Sequence, residues 1–304
     1  MTPIQGPSFL DNARLGKSSP WRYLAGGLFI LFLWLGMGSL LTVILILLFA
    51  LLSGKEVQDL VDLVLDARQL GFIPYFLVLS SSFMVLISGL WLTVAVIHRR
   101  PFLSLVTWQE KLDWRRAGQG FLVWLLLVGL ASLLEYALWP ETFAWNLDPG
   151  TFLPFALLAF ILTPIQSSAE ELLFRGYLVQ FLSLISRNRI FLSLISGALF
   201  ALPHMLNPEV AAGFWLVLSS YFVLGAFLAW ACLRDGRLEL ALGVHAANNL
   251  FAGLVVTFPD SVLPTPAIFF TTHFDPLFSL VTLIGVCGLF YVIVFARFGQ
   301  GRNE

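Results

Sequence analysis

Long runs without a charged residue decide what this chain can become. From Leu24 to Leu52 no Asp, Glu, Lys or Arg interrupts the sequence, and roughly 20 apolar residues already suffice to cross a bilayer as a helix. Further apolar runs cover about Phe72–Ile97 and Gly120–Trp139. A fourth begins near Thr151 and continues to about Ser186, and others span about Ile190–Met205, Val210–Leu233, Leu238–Val256 and Leu277–Phe295. In hydrocarbon every backbone polar group must find its partner inside the chain, which an unbroken apolar run achieves as a helix. The composition agrees, with 59% hydrophobic and 12% charged residues, where soluble domains hold about 45–50% and about 25%. The expected fold is all-α, a polytopic integral membrane protein of about eight transmembrane helices. The fourth run is too long for one straight span, and Pro164 is expected to kink or break it, because proline removes a helix hydrogen bond.

Against this background one stretch stands out: Ser167-Ser-Ala-Glu170-Glu171-Leu-Leu-Phe-Arg175-Gly176. An ionisable group at membrane depth costs roughly 2.5–3.5 kcal/mol on insertion scales, so three within six positions demand a use. Glu171 and Arg175 are four apart and can pair on one helix face. Glu170 lies about 140° round the helix from Arg175 and is the spare carboxylate. Two later motifs add to it. Phe200-Ala-Leu-Pro-His204 ends one run, and His245-Ala-Ala-Asn248-Asn249 lies in another, with His245 and Asn249 one turn apart. A turn near Asn188 would bring Glu170 and His204 to nearly the same depth across a helical hairpin. His245 joins that level only if the hairpin tip reaches past the end of its own helix. A glutamate base, two imidazoles and a carboxamide can activate water and bind a tetrahedral oxyanion, the requirements of acyl-bond hydrolysis. Each piece also has a plainer use: Glu171–Arg175 as a buried structural pair, His204 as a helix-end polar residue, Asn248 and Asn249 as interhelical hydrogen-bonding groups. Glu135 is expected near the outer end of its span, and His98 and His273 in loops without a role.

Glu170-Glu171…Arg175, Phe200…His204 and His245…Asn249 resemble the motifs of the CAAX prenyl protease type II family. These are glutamic intramembrane endopeptidases grouped with bacteriocin-processing and immunity proteins, and the resemblance covers roughly residues 150–255. It implies that Glu170 activates the hydrolytic water, and that His204, His245 and Asn249 position water and stabilise the oxyanion. Glu171, Arg175 and Phe200 would support the site. It also implies a peptide or protein substrate, lipid-modified or not, and no cofactor. Three alternatives remain open: a metal-dependent version with His204, His245 and Glu170 as zinc ligands, a non-enzymatic scaffold or immunity protein, and a transporter with a proton-relay glutamate. No metal is expected, because no His-Glu-x-x-His pair exists. Cys232 and Cys287 lie within apolar runs, where cysteine behaves as a small buried hydrophobe, so neither a disulfide nor a thiolate zinc site is expected.

The chain divides into a tail at 1–23, helices with an amphipathic segment at 55–70 over 24–149, a core at 150–256, and a last loop, helix and tail at 257–304. In the amphipathic segment Val57, Leu60, Val61 and Val64 are expected to share an apolar face opposite Glu56, Asp59, Asp62 and Asp66. A net charge of −1 argues against a nucleic-acid partner and leaves membrane lipid as the surroundings. Lys and Arg alternate along the chain. Three lie in the N-terminal tail, two in 53–71, five in 98–119, and none in 140–150. Two follow at 187–189, none in 206–209, two at 234–237, none in 257–276, and two after the last run. Positive loops stay in the cytoplasm, so a multi-pass protein with both termini cytoplasmic is expected, in the plasma membrane of a prokaryote. Reporter fusions at residues 145 and 304 should therefore report opposite sides; the same side for both would refute the span count.

Overall fold

The computed structural model describes residues 8–55 and 60–296. Eight helices carry the described chain across the fold: α1 (Pro20–Leu52), α2 (Phe72–His98), α3 (Trp114–Leu138), α4 (Pro149–Leu182), α5 (Arg189–His204), α6 (Phe214–Asp235), α7 (Glu239–Leu254) and α8 (Pro276–Ala296). Of these α1, α2, α3, α4, α6 and α8 are long and apolar enough to cross a membrane. The protein is thus a helical multi-pass membrane protein, in which six of these eight helices are of crossing length. α5 and α7 have 16 residues each, a rise of about 24 Å against a hydrocarbon core of about 30 Å. α7 is also made polar by Glu239, His245, Asn248 and Asn249.

Side-chain exposure follows membrane logic. α3 leaves Leu122, Leu126, Leu130 and Leu133 exposed, an apolar stripe at helical spacing of the kind a bilayer-facing helix carries. Helix starts are fixed by short acidic or amide side chains that accept the first free backbone amides. Asp148 accepts from Gly150 and Thr151, Asn188 from Ile190 and Phe191, and Asp275 from Leu277 and Phe278.

Several expectations need correction. α4 does not break at Pro164: it continues as an α-helix to Glu171 and then widens into a π-helix over Leu172–Leu178. In the segment after α1, residues 56–59, with Val57, lie outside the described residues. A short helix at Leu60–Leu65 follows, and there Leu63 is the buried residue while Val61 and Val64 are exposed. His98 is not in a loop. It ends α2, fully buried, with ring nitrogens 3.0 Å from the Lys17 carbonyl and 3.0 Å from the Tyr177 hydroxyl. The all-helical expectation also omitted a small sheet of β1 (Phe143–Trp145), β2 (Val256–Thr257) and β3 (Phe269–Thr271). β3 lies in the middle, antiparallel to β1 and parallel to β2. The sheet closes the end of the bundle whose loops lack Lys and Arg.

The opposite end is laced by ion pairs. Arg116 grips Asp235 at 2.7 Å, and Arg237 bonds Asp113 at 2.9 Å and Asp235 at 3.2 Å. Arg187 bonds Asp11 of a short 3₁₀ helix, Phe9–Arg14. That guanidinium, with the Ser8 hydroxyl and amide, holds the Asp11 carboxyl down at about 2.

Two helix pairs meet backbone to backbone through glycine. A Cβ on Gly120 of α3 would lie 2.3 Å from the Leu240 carbonyl oxygen of α7. One on Gly243 of α7 would lie 1.9 Å from the Ala117 carbonyl oxygen and 2.8 Å from the Phe121 amide nitrogen. In hydrocarbon, where water supplies no driving force between helices, such close approach is what packing offers. α5 and α6 meet likewise through Gly197 and Gly225. Since backbone atoms cannot swing aside, Gly243→Ala is expected to destabilise the protein by about 1–3 kcal/mol or more. A melting curve of the detergent-solubilised variant checks this, and an unchanged melting temperature would contradict the close approach.

Candidate active site

The last α-helical turn of α4 presents Glu170 and Glu171 on different faces, and the π-helix that follows carries Arg175. Arg175 Nη1 donates to Glu171 Oε1 at 2.8 Å, both side chains fully buried. Its Nη2 donates at 2.9 Å to the carbonyl of Gly225 on α6, where no side chain intervenes. Glu171 Oε1 is also 2.8 Å from Nδ1 of His245 on α7. An ionised carboxylate only accepts, so Nδ1 carries the proton and the imidazole's Nε2 faces away. That Nε2 is 3.3 Å from Glu170 Oε2. Glu170 Oε2 is nonetheless buried without an aligned hydrogen bond among the described residues. His245, left conditional by sequence, therefore does reach the depth of the acidic pair.

Phe200 of α5 packs the cluster together. Its ring centroid is 4.6 Å from that of His204 and 5.7 Å from that of His245. The Arg175 guanidinium lies 4.4 Å from the same centroid, a cation–π contact on desolvated ground. His204 Nδ1 is 2.8 Å from the Phe200 carbonyl, which can only accept, so Nδ1 holds the proton there too and Nε2 stays available. Asn249 Nδ2 donates to Gln166 Oε1 on α4 at 3.1 Å. Asn248 Nδ2 donates to Asn249 Oδ1 at 3.1 Å, and buried Trp124 Nε1 donates to Asn248 Oδ1 at 3.2 Å. One amide chain thus ties α3, α7 and α4 beside the acids.

Sequence reasoning missed Gln166, Trp124, Tyr221 and Glu209. Tyr221 stacks on the His204 ring, with centroids 4.1 Å apart. Its hydroxyl donates to Glu209 and accepts from Asn207 Nδ2 at 2.9 Å, and Glu209 Oε2 accepts the Val262 amide at 3.0 Å. Gln166 stands one helical turn before Glu170, a signal the sequence carried, and Glu209 is an acid between two apolar runs. Trp124 and Tyr221 stand at no regular spacing from the motifs. Among the described residues no three His, Cys, Asp or Glu side chains come together as a group that could hold a metal ion.

The protein is a multi-pass helical membrane protein whose acidic, imidazole and amide groups meet in one buried site. Comparison with known proteins narrows this. Residues 149–251 match the family described as type II CAAX prenyl endopeptidase Rce1-like. Uncharacterized protein YyaK of Bacillus subtilis (strain 168) is 31% identical over 273 residues, 89% of this chain and 90% of that one. UPF0177 protein YxdF of Lactococcus lactis subsp. lactis (strain IL1403) is 36% identical over 110 residues, 36% of this chain and 55% of its own. No solved structure matches at a significant level. The chain belongs to the Rce1-like family of type II CAAX prenyl endopeptidases, a family of membrane proteases.

Removing one partner of a buried ion pair leaves an uncompensated charge and typically costs about 3–5 kcal/mol. Arg175→Ala strands Glu171 and releases the Gly225 carbonyl. It is expected to lower the melting temperature of the solubilised protein substantially, as differential scanning fluorimetry would read. Unchanged melting would show that Glu171 keeps its charge by other means.

Proposed function

We propose that this protein is an intramembrane endopeptidase that hydrolyses a peptide bond of a membrane-associated or lipidated protein, using a water activated by Glu170. The observation that carries the reading is the different engagement of two adjacent carboxylates. Glu171 is taken up by Arg175 and by His245 Nδ1. Glu170 keeps a buried oxygen without a hydrogen bond, 3.3 Å from His245 Nε2. A carboxylate in that position is free to take a proton from water.

In the proposed reaction Glu170 removes one proton as the water oxygen attacks the scissile carbonyl carbon. His204 Nε2 accepts the water's other hydrogen and so aims its lone pair. As the C–O bond forms, the carbonyl electron pair moves onto its oxygen, and the second N–H of the Asn249 amide meets the oxyanion. The oxyanion's electron pair then re-forms the C=O bond as the C–N bond breaks. The proton held by Glu170 passes to the leaving nitrogen, and the hydroxyl proton of the new carboxylic acid passes to that amine, giving an ammonium and a carboxylate. His245 shares the proton held by Glu170 across their short separation. Glu171, bonded to Nδ1, orients the ring and offsets its charge when protonated. In this reading α5 and α7 complete eight crossings, and both termini face the cytoplasm of a prokaryotic plasma membrane. The Lys/Arg alternation and the bacterial relatives support that placement.

The test is single-turnover cleavage of a peptide ending in a CAAX tetrapeptide prenylated on its cysteine, beside its unprenylated form, by purified protein. Glu170→Gln keeps volume and hydrogen-bonding capacity but removes basicity. Base catalysis is worth about 10²–10⁴-fold, so turnover should fall by at least about that factor with little change in melting. Wild-type turnover should persist in the presence of a metal chelator. Near wild-type cleavage by Glu170→Gln would overturn the glutamate mechanism, and cleavage of neither peptide by wild type would favour a non-enzymatic membrane scaffold.

A further inference from the structure

A polar cavity lies at the Lys/Arg-rich end of the bundle, separated from His204 by the length of α5, about 24 Å. Its volume of about 370 Å³ is in the range of small-molecule sites. Arg189 at the start of α5, Arg234 at the end of α6 and Arg237 in the turn that follows line it, with Asp235, Trp108 and Phe9. Three nearby acids are already engaged by other arginines, and Glu239 accepts the Asp113 amide through Oε1 at 3.2 Å. Both Asp235 oxygens take Arg116, and one also takes Arg237; Asp113 takes Arg237; Asp11 takes Arg187. Arg189 and Arg234 form no ion pair among the described residues. Counting Arg116, Arg189, Arg234 and Arg237 against Asp113, Asp235 and the adjacent buried Glu239 leaves a net positive charge in and around the cavity.

The cavity's place selects the ligand. It sits where helix ends meet, on the side that carries Arg14, Lys17, Arg99 and Arg115. Trp108 on its wall is 45% exposed, and indole rings of this kind collect at headgroup level. Basic pockets between helix ends on that side of a membrane suit phosphate headgroups, and guanidinium matches a phosphate's oxygens in pairs. We propose that this cavity binds the phosphate of an anionic phospholipid headgroup, held by Arg189 and Arg234 against the Trp108 ring. Because the site stands apart from Glu170, the proposal does not rest on the proposed chemistry.

The experiment counts phosphatidylglycerol retained per protein by native mass spectrometry, and measures melting in detergent with phosphatidylglycerol, phosphatidylcholine or inorganic phosphate added. Wild type should retain one phosphatidylglycerol in preference to phosphatidylcholine and melt higher in its presence. Each basic residue near a membrane surface contributes on the order of fivefold in affinity. Arg189→Gln with Arg234→Gln should therefore weaken retention about thirtyfold. Arg115→Gln, on the same side but outside the cavity, should change little. If the double variant fails to fold, Arg234→Gln alone, at an exposed position, gives the reading. An equal rise in melting with inorganic phosphate would keep the phosphate site and reassign its source to solution. Retention unchanged in the double variant, or lost equally in Arg115→Gln, would overturn it.

Discussion

A fully buried guanidinium bonded to a fully buried carboxylate is the interaction around which the rest of this protein is arranged. Glu171 and Arg175 could not sit alone among apolar helices, since each would carry a desolvation cost of several kcal/mol. The remaining partners are what make the pair tolerable: Gly225 gives a bare carbonyl, Phe200 gives a ring face, and His245 gives an N–H. Three helices are thereby pinned to α4 at one depth. The polar site and the packing of the bundle are the same set of contacts, so neither can be altered without the other.

That interdependence governs how much could be read from sequence. The Glu171–Arg175 pair was legible because four-residue spacing is a local property of a helix. The spare position of Glu170 was legible for the same reason. The depth of His245 was not, because it depends on how far the α4–α5 hairpin extends relative to the α6–α7 turn, and hydropathy does not register relative height. The Tyr221–Glu209 support of His204 was also hidden, since it joins a helix to a loop through tertiary contact alone. Two of the helices count as short because each ends after 16 residues, and apolar runs in the sequence do not mark where a helix stops. The three strands have two or three residues each, and pairings that brief leave no periodic pattern.

The two ends of the bundle are finished by different physics. Where loops carry Lys and Arg, guanidinium–carboxylate pairs join segments far apart in the chain, such as Arg116 to Asp235 and Arg187 to Asp11. Where loops carry none, backbone hydrogen bonds in a small sheet do the joining, and Tyr75 adds a bond to the Val262 carbonyl at 2.9 Å. Charge and main-chain pairing are thus alternative ways to secure loops at an interface with water. The first leaves a surface of mixed charge, the second one whose loops carry carboxylates such as Glu141, Asp148, Asp260 and Asp275 without Lys or Arg.

The π-helical stretch in α4 has a consequence for how this helix is built. A helix bonded i to i+5 accommodates one residue more than an α-helix with the same turns. Leu172–Leu178 therefore acts as a phase shifter. The segment before it turns Glu170 and Glu171 toward His245, and the segment after it turns Tyr177 toward Tyr23 and Gln180 toward the Ser104 carbonyl. The two halves of one continuous rod are indexed independently, and a single extra residue keeps both in register with partners on opposite sides of the molecule.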